Sequence, residues 1–197
     1  MAGAALHRTL RALCALAVLA LGCATRSDPA ALSERAHADF AAGDTEEAIA
    51  QMREVVALAP DVAQVHFSLG LMLLRTDRVD EAEPELARAV ALAPRDARKL
   101  AAHGLALRAQ QKWSAAESAL LRALLLEPND TSTIAALGEV YRLSGDYEKC
   151  AARYEQVVWQ LELREPSTLG ESELRALGEA REHARVCAML ARAAKRS

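Results

Sequence analysis

The stretch AVALAPRD, Ala89 to Asp96, returns upstream as VVALAPDV, Val55 to Val62, and downstream as ALLLEPND, Ala123 to Asp130. Its prolines measure the interval: Pro60, Pro94 and Pro128 stand 34 residues apart. A fixed period of this size means repeated supersecondary units, each too small to bury its apolar face alone. Frames that put each proline at position 32 run 29–62, 63–96, 97–130 and 131–164.

Small residues fall into register in these frames. Position 8 reads Ala36, Gly70, Gly104 and Gly138, and position 20 reads Ala48, Ala82, Ala116 and Cys150. Two antiparallel helices come into near contact only where both lack bulk, so this pattern predicts a helical hairpin. Large residues alternate with the small ones: Leu69 and Leu137 at position 7, Tyr141 at 11, and Met52, Leu86, Leu120 and Tyr154 at 24. Gly43-Asp44 and Gly145-Asp146 supply turn chemistry inside the hairpins, and Asp77-Arg78 and Gln111-Lys112 supply it less well. Each recurrent proline ends a second helix, because the residue before it is pushed out of the right-handed helical region. Pro84 is expected in the opening turn of its helix, where it costs little.

Composition agrees with an all-α chain. The 197 residues are 52% hydrophobic but 4% aromatic, without alternating β-branched segments bounded by turns. With 24 Lys and Arg against 27 Asp and Glu, the net charge of −3 gives no reason to expect a nucleic-acid partner, and no basic cluster is interleaved with aromatics.

The period, the small residues at positions 8 and 20 and the closing proline resemble the tetratricopeptide repeat. The resemblance covers four frames within 30–164 and is strongest from Ala63 to Tyr154. It implies an α-solenoid of helix-turn-helix hairpins. The sequence departs from the family in the first frame, where Arg35 and Asp39 take positions normally apolar, and in the fourth, where Glu162 replaces the proline. End repeats must turn a face to water, which explains both departures. Beyond them, Arg164-Glu165-Pro166-Ser167 breaks the helix and Thr168-x-x-Glu171 has capping-box spacing. Leu174, Leu177, Ala184, Cys187, Ala188 and Ala191 then share one helical face, predicting a capping helix within 168–197.

The N-terminus has a different character. His7, Arg8 and Arg11 precede the uncharged run Ala12 to Gly22, which ends at Cys23. As a helix this run would be about 16 Å long, roughly half a bilayer core, so it reads as a cleaved signal peptide, 1–22. Leu19-Ala20-Leu21-Gly22-Cys23 resembles a bacterial lipobox, which implies an acylated Cys23 at the head of a short tether, 23–29; Ala20-x-Gly22 would equally suit secretion without lipid. Two acyl chains hold a protein stably at a membrane. Ala24 after the cysteine resembles the outer-membrane sorting signal, placing the chain in the envelope on the periplasmic side.

In the resembled family, positions 2, 5, 9, 12 and 13 of the first helices face a concave groove. Carried over, these are Ser33, His37, Phe40, Phe67, Leu71, Leu74, Arg75, Arg98, Leu105, Arg108, Glu139 and Arg142. The set implies a peptide-binding surface in which arginine forks pair with carboxylates around apolar anchors. The alternative is that Phe67, Leu71 and Leu74 only fill a tightly wound superhelix. The Lys and Asn pair with which some relatives clamp a terminal carboxylate is missing, since Phe67 and Ala101 hold the first place and Leu71 and Leu105 the second.

Catalytic motifs are absent from the sequence: no HExxH, GxSxG, phosphate-binding glycine loop or CxxC occurs. No cofactor is expected. His66 and His103 fall on packing positions, and His183 with Cys187 would make only one edge of a metal site lacking further ligands, so no metal is assigned. Cys14 leaves with the signal peptide, and Cys150 and Cys187 remain as an even pair that either closes a disulfide or sits as two buried thiols. The expectation is a non-enzymatic, membrane-tethered scaffold that binds or helps assemble another envelope protein. Its layout is similar to type IV pilus pilotins and to lipoproteins that scaffold peptidoglycan enzymes; a soluble adaptor or a metal-binding accessory module are the alternatives.

Overall fold

The computed structural model describes residues 28–164 and 166–196, so the expected signal peptide, Cys23 and nearly all of the tether lie outside the described residues. Eight helices pair as hairpins: α1 (Pro29–Ala42) with α2 (Thr45–Leu58), α3 (Ala63–Arg75) with α4 (Val79–Leu92), α5 (Ala97–Ala109) with α6 (Trp113–Leu126), and α7 (Thr131–Ser144) with α8 (Tyr147–Glu162). A short 3₁₀ turn (Pro166–Thr168) leads into the long α9 (Glu171–Ala194), which packs along α8. No strand occurs among the described residues. Each helix packs mainly on its neighbours in sequence, the contact pattern of a solenoid.

Steric requirements set each hairpin. Gly70 lies so close to Leu86 that a Cβ there would stand 2.5 Å from its Cγ, and Gly104 meets Leu120 and Gly138 meets Tyr154 in the same way. Position 20 is equally closed, with Ala48, Ala82, Ala116 and Cys150 all 0% exposed. Ahead of the closing prolines, Ala59, Ala93 and Glu127 turn to φ −137°, −136° and −128° and end their helices.

The four hairpin turns share one conformation. Gly43, Asp77, Gln111 and Gly145 occupy the same frame position with φ of 103°, 59°, 58° and 85°. The left-handed region strains a side chain with a Cβ, by about 1 to 2 kcal/mol in the least favourable residues. Gln111→Gly should therefore raise stability by about 0.5 to 1 kcal/mol, read as a higher urea midpoint at unchanged slope.

Four of the helices are capped by aspartates. Asp28, Asp96, Asp130 and Asp146 each accept a hydrogen bond from a first-turn backbone N–H. Burial works against the charge of Asp130, yet hydrogen bonds from the hydroxyls and backbone N–H groups of Ser132 and Thr133 outweigh it. The carboxyl is held below the usual range.

Several expectations need correcting. Pro84 stands in the second turn of α4 and not the first, and α4 continues through it with the ring exposed at the surface. There it removes the N–H that would bond the Asp80 carbonyl. The box that starts α9 is built two residues later than Thr168 and Glu171: Gly170 donates its backbone N–H to Glu173 Oε2 at 3.1 Å. Leu174 is 48% exposed, while Leu177, Ala180, Ala184 and Cys187 form the buried face of α9. In the first hairpin, Asp39 accepts from the buried Gln51 at 2.9 Å, so a carboxylate stands where the other repeats bury Leu73, Leu107 and Tyr141. His66 is buried, with Nδ1 2.6 Å from Glu85 Oε2 and Nε2 2.9 Å from the Pro60 carbonyl, joining α3 to α4 and to the preceding loop.

Candidate functional site

The first helices of successive hairpins line one side of the solenoid, where two hollows open. The smaller, about 290 Å³, lies between α1, α3 and α5 and is lined by His37, Phe40, Phe67, Leu71, Arg75 and Arg98 together with Gln64, Ser68 and Met72. The larger, about 720 Å³, includes Leu105, Arg108, Glu139 and Arg142 and continues onto α8 and α9. Of the twelve residues expected to form one groove, ten thus divide between two hollows; Ser33 and Leu74 line neither and are half-buried.

Their chemistry differs from a simple apolar floor. Phe40 and Phe67 are 8% and 5% exposed and belong to the core, not to an open surface. They are roofed by cations: the Arg75 guanidinium sits 4.6 Å from the Phe40 ring centroid, Arg98 5.8 Å and Lys99 4.9 Å from that of Phe67. Such stacking attracts the cation to the ring face and leaves guanidinium edges available to acceptors. Leu71 and Leu105, half-buried, remain as apolar contacts.

In the larger hollow Arg142 is paired within its own helix. Its guanidinium donates from Nε and Nη2 to the Glu139 carboxylate at 2.7 and 2.6 Å, an i,i+3 pair within α7. These hydrogen bonds hold Glu139 below the usual carboxylate range. Burial, then the neighbouring Glu139 charge, pushes the Tyr154 phenol up to about 12, so it stays an O–H donor, 3.4 Å from Glu139 Oε2. Arg108 makes no ion pair among the described residues, and it lines the same hollow.

The far wall comes from α9, through Ala176, Glu179, Ala180, His183 and Val186. Sequence reading gave α9 only a capping role and missed this wall; the signal was the spacing of Ala176, Ala180 and His183, which puts them on one helical stripe. His183 packs edge-on against Tyr154, ring centroids 4.8 Å apart. Its suggested partner Cys187 is joined to Cys150 in a disulfide, Cα atoms 5.9 Å apart and both residues 0% exposed, so no thiolate is left for a metal. Among the described residues, no group of three or more His, Cys, Asp or Glu is placed to hold a metal ion.

Two sequence profiles, both described as tetratricopeptide repeat, match residues 33–97 and 133–167, together half of the chain. This chain belongs to the tetratricopeptide repeat family. No curated protein sequence matches it. Among solved structures, this repeat protein is similar to MamA 41-end from Desulfovibrio magneticus RS-1, at 25% identity over 70% of this chain and 76% of that one, with a TM-score of 0.62. An RS-1 MamA double mutant gives 25% identity, 72% and 79% coverage and a TM-score of 0.67. The first repeat domain of Spaghetti (RPAP3), solved with the HSP90 peptide SRMEEVD, is 24% identical over 58% of this chain and 91% of that one, TM-score 0.56; that likeness concerns the fold alone. Repeat proteins of this fold are generally non-enzymatic interaction scaffolds.

Proposed function

We propose that this repeat protein is a non-enzymatic scaffold that receives an extended segment of another envelope protein along its first-helix face. The supporting observation is the pair of hollows on that face, in which apolar side chains and guanidinium groups without carboxylate partners stand side by side. An apolar anchor loses its hydration there, and a carboxylate beside it finds a fork of N–H donors.

Replacing both Leu71 and Leu105, each half-buried, by Glu puts a charge in each hollow. In-cell crosslinking from the groove should then lose partner capture while circular dichroism keeps its helical signal. Unchanged capture would place the binding surface elsewhere on the molecule.

The membrane assignment in this reading rests on the sequence around Cys23. Acylation of that cysteine would tether the solenoid, and no helix among the described residues is long and apolar enough to cross a membrane. Cys23→Ser should move the protein from the membrane pellet to the soluble fraction. Persistent attachment of that variant would argue against the lipid. Ala24 favours the outer membrane as destination, and assembly of a secretin or organisation of peptidoglycan enzymes would both be served by this layout.

A further inference from the structure

In the middle of the solenoid the charges are segregated by helix. α3 and α5, which build the middle of the first-helix face, carry Arg75, Arg98, Lys99 and Arg108 and no carboxylate. The second helix α4 carries Asp80, Glu81, Glu83 and Glu85 against Arg88 alone. A chain of net charge −3 thus presents a cationic strip on one face. A strip of this kind steers and retains an anionic partner.

The bonding of these cations points the same way. Arg53 on α2 and Arg88 on α4 are paired, with Glu81 and, at 2.8 Å, with Asp61. Arg78, in the turn before α4, is paired with Glu46 and Glu81. Lys99 is taken by Asp96 at 2.6 Å. Arg75 and Arg98 are held by phenyl rings instead, and no carboxylate lines the hollow they flank. The rings fix the guanidinium planes without consuming their N–H donors, so little side-chain freedom remains to be lost on binding. At about 290 Å³ the hollow is at the small end of ligand pockets, which suits a single apolar side chain inserted from an extended strand.

We infer that the hollow between α1, α3 and α5 selects an acidic protein segment, taking one apolar side chain into the hollow and flanking carboxylates onto Arg75 and Arg98. This inference rests on the proposed use of the first-helix face and adds the chemistry of the occupant.

The test uses the full chain and three fluorescein-labelled dodecapeptides, (Leu-Glu-Ser)4, (Leu-Gln-Ser)4 and (Leu-Lys-Ser)4, titrated by fluorescence anisotropy at two salt concentrations. The Glu peptide should bind at least about tenfold more tightly than the Gln peptide, with an affinity that falls as salt rises. Arg75→Glu with Arg98→Glu should abolish that preference and transfer it to the Lys peptide. Arg75→Gln with Arg98→Gln, which removes the charge without repulsion, should bring the Glu and Gln peptides level.

Equal binding of the three peptides to the wild-type chain, or no binding of the Glu peptide, overturns the inference. So does an acidic preference that survives both double variants with circular dichroism unchanged. These failures are separable from failure of the proposed function, which is decided by partner capture in the Leu71→Glu, Leu105→Glu chain. Lost capture there beside level peptides would leave an apolar groove with no charge selection.

Discussion

Gly104→Val should destabilise the fold by about 3 kcal/mol or more. A Cβ at Gly104 would stand 2.7 and 2.8 Å from Cγ and Cδ2 of Leu120 and 3.4 Å from the Ala116 carbonyl oxygen. Leu120 Cγ is a branch point inside a side chain 0% exposed, so it has no free end to swing aside. The helices must separate, and Ala116, also 0% exposed, loses its contact at the same crossing. Overpacking alone is worth about 1 to 3 kcal/mol, and the shifted backbone and the β-branched residue add to it. Urea denaturation followed by circular dichroism measures the loss. Adding Leu120→Ala should restore part of it by making room for the new side chain. If Gly104→Val melted like the parent, the two helices would not be in contact at that position.

Cys187→Ser should remove about 3 to 4 kcal/mol from the C-terminal end under oxidising conditions. The bond closes a sequence separation of 37 residues, and its loss enlarges the freedom of the unfolded chain by the whole span from α8 to α9. It also leaves Cys150 without its partner at a position where the other repeats place a close-packed alanine. Because α9 supplies one wall of the larger hollow, the effect should be concentrated there. Amide exchange in α9 should accelerate strongly in the variant, with α1 to α4 unaffected. Uniform acceleration throughout the chain would show that the bond does not act locally. Wild-type protein in strong thiol reductant should behave as the variant does.

Why the solenoid can be read from residues follows from the physics of those residues. Gly70, Gly104 and Gly138 act through the absence of a side chain, and Pro60, Pro94 and Pro128 through a restriction on the preceding backbone; both effects are local and need no knowledge of neighbours. The family resemblance carried over positions on the first helices, and those positions do lie along the hollows in ten of twelve instances. What those side chains do there was less legible. Glu139 and Arg142 were both carried over to the groove, and their pairing three residues apart on one helix was not drawn from the spacing. The burial of Phe40 and Phe67 beneath Arg75 and Arg98 depends on contacts across repeats, which one-dimensional spacing does not contain. The wall from α9 depends on the angle at which that helix leaves the Gly170 turn, a property of three-dimensional packing.

The neighbour-to-neighbour packing of the helices has a mechanical consequence. A chain in which most contacts run to adjacent rods and the few others reach only the next hairpin has no central keystone, so each hairpin is held by what stacks beside it. Among the described residues, the one covalent clasp is at the C-terminal end. Pulled or heated, the molecule should unzip from α1 inward, releasing α1 and α2 first and the clasped pair last. A tether entering at the N-terminal end would apply any tension to the end that yields first.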